Sequence, residues 1–176
     1  MANVNFQQTP YLQSGLPQTE NRPPDGYSGG QLGIRFTFND PADSQVGKRY
    51  QLIQADSVMD VVPYAGAVAY WLHNSGYLVT TDVSLAGRGN VAGVLLHALD
   101  LGNVGCIQIG GRCDTDIDTG TPDATGLIVI PSAADGKATA LAAASAATYP
   151  PLGVTVSATP TSGTLYPVEL QRPGRE

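Results

Sequence analysis

The sequence predicts an all-β protein: a small β-barrel or sandwich of about ten short strands, with one short Ala-rich helix and an extended N-terminal arm. Three observations carry this prediction. Apolar residues come in short runs, several alternating with polar ones, which is the period of a half-buried strand. Turn formers, 21 glycines and 13 prolines among 176 residues, separate these runs at close spacing. Charged residues are only 14% of the chain, below the usual quarter, which suits tight turns and surface buried against partners.

Residues 1–31, MANVNFQQTPYLQSGLPQTENRPPDGYSGGQ, form the arm, and residues 32–176 form the β-rich body. Pro10, Pro17, Pro23 and Pro24 exclude a continuous helix over the arm, while Gly15, Gly26, Gly29 and Gly30 raise the entropy of the free segment. A purely solvating tail is rich in charge and poor in apolar groups. Here Phe6, Tyr11, Leu12, Leu16 and Tyr27 recur every few residues and only Glu20, Arg22 and Asp25 are charged, a pattern suited to gripping a partner surface. A strap on the chain's own body is the competing reading. Fully extended, such an arm spans on the order of 100 Å, enough to reach a neighbouring subunit.

The body opens with LGIRFTF (32–38), where Leu32, Ile34, Phe36 and Phe38 alternate with Gly33, Arg35 and Thr37. After the Asn39-Asp40-Pro41 turn come RYQLIQ (49–54) and SVMDVV (57–62), ending at Pro63. Further strands are expected at AVAYWL (67–72), YLVTTDV (77–83), VAGVLLHAL (91–99), VGCIQI (104–109), LIVI (127–130), LGVTVSA (152–158) and LYPVEL (165–170). KATALAAASAA (137–147) is dense in the best helix former and stops before Tyr149-Pro150-Pro151, so it reads as the single short helix. A faint repeat is visible. Gly93-Val94 precedes a loop and then Ile107-Gln108-Ile109; some sixty residues later Gly153-Val154 precedes a similar loop and then Val168-Glu169-Leu170.

The formal net charge is −6, and between Asp100 and Asp135 six aspartates face Arg112 alone. That balance disfavours nucleic acid, whose phosphates need a basic surface. MANVNFQQTP has neither a basic nor an apolar leader region, and no stretch approaches 18 uninterrupted apolar residues, so neither a secretory signal nor an ordinary membrane span is expected.

Chemistry-bearing patterns are few. Asp114, Asp116 and Asp118 stand at the i, i+2, i+4 spacing of calcium loops, but Gly120 is displaced and Thr125 occupies the place of the bidentate Glu, so DTDIDTGTPD (114–123) reads as a solvated acidic loop. His73 and His97 lie inside apolar runs and form no short-clip zinc pattern with Cys106 and Cys113, whose odd separation puts them on opposite faces of a continuous strand. No nucleophile elbow or phosphate loop is present. The reading is therefore a binding protein with no cofactor and no catalytic site.

At GRGNVAGVLLHALDLGNVGCIQIGGRCDT (87–115) the chain resembles a family of phage head-decoration, or capsid cement, proteins, in which a strand reading roughly x-G-V-A/L turns through small residues into V-x-V/I-Q-x-G-G. LGVTVSATPTSGTLYPVELQ (152–171) is similar to that family's last hairpin, and the Ala-rich stretch before it has a counterpart there. The resemblance implies a small β-barrel-like domain, commonly a homotrimer. It would be made in the host cytoplasm and then sit on the outer capsid surface of the virion, binding the major capsid protein at capsomer junctions and locking the expanded shell. The longer arm and the 114–123 insert depart from the family pattern. Competing readings are a minor tail component, a calcium-dependent adhesion or carbohydrate-binding module, and a hydrolase using Asp114 or Asp116 with His97.

Overall fold

A computed structural model describes residues 32–38, 47–58, 63–72, 76–119, 122–142 and 145–171. The arm, with Phe6, Tyr11, Leu12, Leu16 and Tyr27, and also His73, lie outside the described residues. Among the described residues, ten strands and one helical turn follow in chain order: β1 (Arg35–Phe38), β2 (Lys48–Ala55), β3 (Val68–Trp71), β4 (Leu78–Thr80), α1 (Val83–Ala86), β5 (Val91–Leu95), β6 (Val104–Thr119), β7 (Ile128–Pro131), β8 (Ala138–Ala140), β9 (Gly153–Thr155) and β10 (Leu165–Gln171).

The strands close on themselves. β2 runs parallel to β4; β4 pairs antiparallel with β3, β3 with β5 and β5 with the first half of β6, which returns antiparallel to β2. Five strands thus form a barrel. The second half of β6 then begins another circuit. It runs parallel to β8; β8 pairs antiparallel with β7, β7 with β9 and β9 with β10, which returns antiparallel to β6. Strand order and strand sense are the same in both circuits, with β6 last in the first and first in the second.

The registers agree as well. Val68↔Val94 in the first circuit is matched by Ile128↔Val154 in the second, and Tyr70↔Thr80 by Ile130↔Thr139. Gln54↔Val104 is matched by Asp116↔Leu165, and Val94↔Gln108 by Val154↔Glu169. Corresponding residues lie roughly 60 positions apart, so the faint sequence repeat belongs to a duplicated five-stranded unit. Its glycines have one shared job. A Cβ on Gly93 would run into the carbonyl of Gln108, and a Cβ on Gly153 into the carbonyl of Glu169.

Each circuit encloses its own core. Ile53, Ala55, Ala67, Ala69, Val79, Ala92, Ile107 and Ile109 cluster in the first. The corresponding Ile117, Leu127, Val129, Ala138, Leu152, Val168 and Leu170 cluster in the second, together with Val68, Tyr70 and Val94 from β3 and β5. A fully buried side chain such as Ile107 stabilises by about 1.5–3 kcal/mol. A third cluster lies under β1, where Leu32 and Phe36 pack on Leu52, Val104 and Cys106, and Phe36 stacks on Tyr50 at 5.5 Å.

Local chemistry explains the turns between these layers. Asp82 caps α1 by accepting from the N–H groups of Ser84 at 2.7 Å and Leu85 at 3.3 Å, and the Ser84 side chain first, then these backbone bonds, hold its carboxyl below the ordinary range against its burial. Gly87, at φ 75°, ends the turn. Where β6 passes from one circuit to the other, Gly111 takes φ 79° and Gln108 Nε2 donates to the carbonyls of Gly110 and Arg112 at 3.0 and 2.9 Å. One buried amide thus pins the crossing.

Three expectations are corrected. The Ala-rich stretch is not the helix: residues 138–140 form β8, hydrogen-bonded to β6 and β7, and the described residues from 141 to 147 have no regular structure. Ala138 and Ala140 are buried facing the second core, where small side chains fit, and pairing on both edges outweighs helix propensity. Among the described residues the one helical turn is Val83–Ala86 instead, at the end of the expected 77–83 strand. The acidic stretch is not a solvated loop either, because β6 continues through it to Thr119. Of the expected 57–62 strand, residues 57 and 58 form a bend and 59–62 lie outside the described residues.

Candidate functional site

Strand alternation in the second half of β6 buries Cys113, Thr115 and Ile117 on one face and sets Asp114, Asp116 and Asp118 on the other. Three like charges on one face repel unless each is compensated. Here each has its own donor. Asp116, only 5% exposed, accepts from Tyr64 Oη at 2.7 Å, and Lys137 Nζ lies 3.8 Å from the same oxygen. Asp118 accepts from Ser132 Oγ at 2.6 Å and Thr139 Oγ1 at 3.3 Å. The exposed Asp114 accepts from Thr161 Oγ1 at 2.8 Å.

The donors come from the loop before β3, the turn after β7, β8 itself and the loop before β10, so the carboxylates tie the strand to four neighbouring segments. Burial, and next the bond to Asp116, push the Tyr64 hydroxyl well above the ordinary phenol range. Among the described residues no three His, Cys, Asp or Glu side chains converge on one point. Alternate residues on a strand stand about 7 Å apart, and each carboxylate here is drawn to a different hydroxyl, so the spacing that suggested calcium serves hydrogen bonding instead.

Beside this row, at the waist between the circuits, lies an open pocket of about 370 Å³. Leu95, Leu96 and Leu165 give it an apolar floor, and Lys48, Arg112 and Asp114 supply charge at its margin. Such a pocket suits an apolar side chain flanked by a polar group. Cys113 borders it, but burial, and next the Asp114 charge, push its thiol up to about 12, so it is no thiolate nucleophile near neutrality. Cys106 is the other buried free thiol and packs in the cluster under β1, on the opposite face of β6. His97 is half-buried beside the carbonyl of Ala98, 2.8 Å from Nδ1, and has no hydrogen bond to Asp114 or Asp116.

A second surface emerges when the circuits are compared. In the first, the cross-strand row Val68, Val94, Gln108 and Tyr50 is buried throughout, none more than 3% exposed. The corresponding row in the second is Ile128, Val154, Glu169 and Arg112. Ile128 is 37% exposed and the other three are half-buried. Sequence reasoning singled out the aspartates but neither this row nor the pocket. Both are built from strands far apart in the chain, and the faint repeat was the only signal pointing to them.

Taken together, fold and surface define an all-β protein of two fused five-stranded circuits whose outer face is acidic and partly apolar. Set against family models, curated proteins and solved structures, the chain finds no match.

Proposed function

We propose that this protein is a structural decoration, or cement, protein of a phage capsid, binding the outer surface of the shell without catalysis. One observation carries the reading. The two stretches that resemble the decoration family, 87–115 and 152–171, contain the β5–β6 and β9–β10 hairpins, which occupy equivalent places in the two circuits. In each, a glycine presses on the carbonyl of the polar residue in an apolar-polar-apolar triplet. The features that carry the resemblance are thus the ones that complete each circuit.

The rest of the molecule suits this role. Strands closed into circuits leave few free edges and make a stiff body, as a clamp requires. The arm carries Phe6, Tyr11, Leu12, Leu16 and Tyr27 as anchors that bury apolar surface on a neighbour and offset the entropy of ordering. Copies joined as a trimer bind several capsomers at once, and avidity then makes a modest single contact durable.

The test is gradient sedimentation of the native particle with its copy number counted, alongside a variant lacking residues 1–31. Recovery of many copies per large particle, and loss of attachment with the body still folded in the variant, are the expected results. Recovery only as a small free species would remove the capsid reading.

A further inference from the structure

We propose that the waist pocket binds a free apolar α-amino acid as its zwitterion, with carboxylate, ammonium group and side chain each held on a different part of the wall. This site goes beyond the capsid reading and does not depend on it.

Cations gather on one side. Lys48 of β2 and Arg112 of β6 both line the pocket, and both are only half-buried, so a solute reaches them. Gly111 brings them together. A Cβ there would lie 3.1 Å from Lys48 Cα, so the missing side chain lets the start of β2 close on β6 beside Arg112. Glu169 stands opposite Arg112 in the β10–β6 register, yet Arg112 forms no ion pair among the described residues. A guanidinium beside an ammonium, both partly withdrawn from water, suits a carboxylate, and charge-assisted bonds of that kind are the strong ones.

Acceptors line another side. Gln108 is only 2% exposed, and its Nε2 is engaged by the carbonyls of Gly110 and Arg112. Its Oε1 accepts no hydrogen bond among the described residues and is not sealed from solvent, so it opens on the pocket that the side chain lines. Asp114 is fixed by Thr161, which donates to Oδ1, while Oδ2 accepts nothing among the described residues. Two acceptors, one of them charged, suit an ammonium group, which has three donors and accepts nothing. A simple fatty acid leaves these acceptors unanswered, and a simple amine leaves the cations unanswered.

Leucines make the third part. Leu95 is buried, and Leu96 and Leu165 are half-buried. A Cβ on Gly66 would run into Leu165 Cδ2, so this glycine lets Leu165 lie against the pocket floor. A volume of about 370 Å³ falls at the small end of the range for ligand sites, as an amino acid requires. Leu95 and Gln108 belong to the first circuit, and Arg112, Asp114 and Leu165 to the second. A ligand here touches both, and by binding only the folded chain it raises stability.

The experiment is isothermal titration of the full chain, free of any particle, with L-leucine as the probe. Saturable one-to-one binding is expected, with a rise in the unfolding temperature. Glycine, L-leucinamide and 4-methylpentanoate, which lack the side chain, the carboxylate and the ammonium group in turn, should each bind at least about tenfold more weakly. Arg112→Gln and Asp114→Asn should each weaken leucine binding by a similar factor while the unliganded protein unfolds as before. No saturable binding in the millimolar range overturns the proposal, as does leucine binding indifferent to both substitutions. Equal binding of 4-methylpentanoate overturns the zwitterion and leaves a plain carboxylate site. N-acetyl-L-leucine binding as tightly as leucine overturns the free amino acid and assigns the pocket to the end of a peptide. Attachment to the particle, measured separately, is not moved by any of these outcomes and judges the capsid reading by itself.

Discussion

The two circuits share one backbone plan and fill it differently. Where the first has Ala55, Ala67 and Ala92, the second has Ile117, Leu127 and Leu152. The trade runs the other way at two further places. Ile53 and Leu95 of the first correspond to Thr115 and Thr155 of the second. Bulk is thus exchanged between neighbouring positions, which is how cores keep density while individual residues change. The outer faces diverge further. Leu52 and Gln54 of the first circuit become Asp114 and Asp116 in the second. Leu52 lies under β1, whereas the corresponding Asp114 meets solvent and Thr161. The two circuits have in common what closes each of them and differ in what faces outward.

The largest expected effect separates the two cores. Leu152→Ala should cost about 2–5 kcal/mol, because a fully buried side chain leaves a cavity. Ala92→Leu, at the corresponding place, should cost about 1–3 kcal/mol by overpacking. Denaturant unfolding measures both, and a harmless Ala92→Leu would show that the circuits are not filled in the complementary way described.

Next come the glycines that the circuits share. Gly93→Ala and Gly153→Ala each drive a methyl into a partner carbonyl, and each should cost about 1–3 kcal/mol. Similar penalties sharpen the equivalence, whereas tolerance at one position alone breaks it.

The smallest effect tests what only the second circuit has. Tyr64→Phe removes the phenol from Asp116 and should cost about 1–2 kcal/mol at neutral pH. Its pH dependence has a definite sign. The folded-state pKa of Tyr64 lies above the unfolded value, so its contribution is whole below about pH 10 and is lost as pH rises further. The unaltered protein should therefore lose stability in alkali more steeply than Tyr64→Phe, in unfolding curves recorded across that range. Tyr70, also raised, by burial first and then by Asp135, keeps part of the slope in both. Parallel curves would mean that neither the burial of Tyr64 nor its bond to Asp116 holds the phenol in its neutral form.

Much of the strand layout was legible because alternation and turn residues are local signals. Leu32 to Phe38 and Tyr50 to Gln54 announce themselves by period, and Gly93-Val94 and Gly153-Val154 announced the repeat. The aspartates misled because three charges in five residues look like solvated loop, and their compensation by Tyr64, Ser132, Thr139 and Thr161 comes from segments 14 to 52 positions away. The alanines misled because intrinsic propensity favours helix, whereas the slot between β6 and β7 accepts only a narrow strand.

By itself, the sequence determined an all-β body, its charge balance and a repeated hairpin, since period, composition and turn chemistry are written residue by residue. Tertiary structure alone decided that β6 belongs to two circuits, that Ala138 and Ala140 lie in a strand, and that one row is buried while its counterpart stays open. Those outcomes depend on pairings between distant residues, whose energies no local stretch contains.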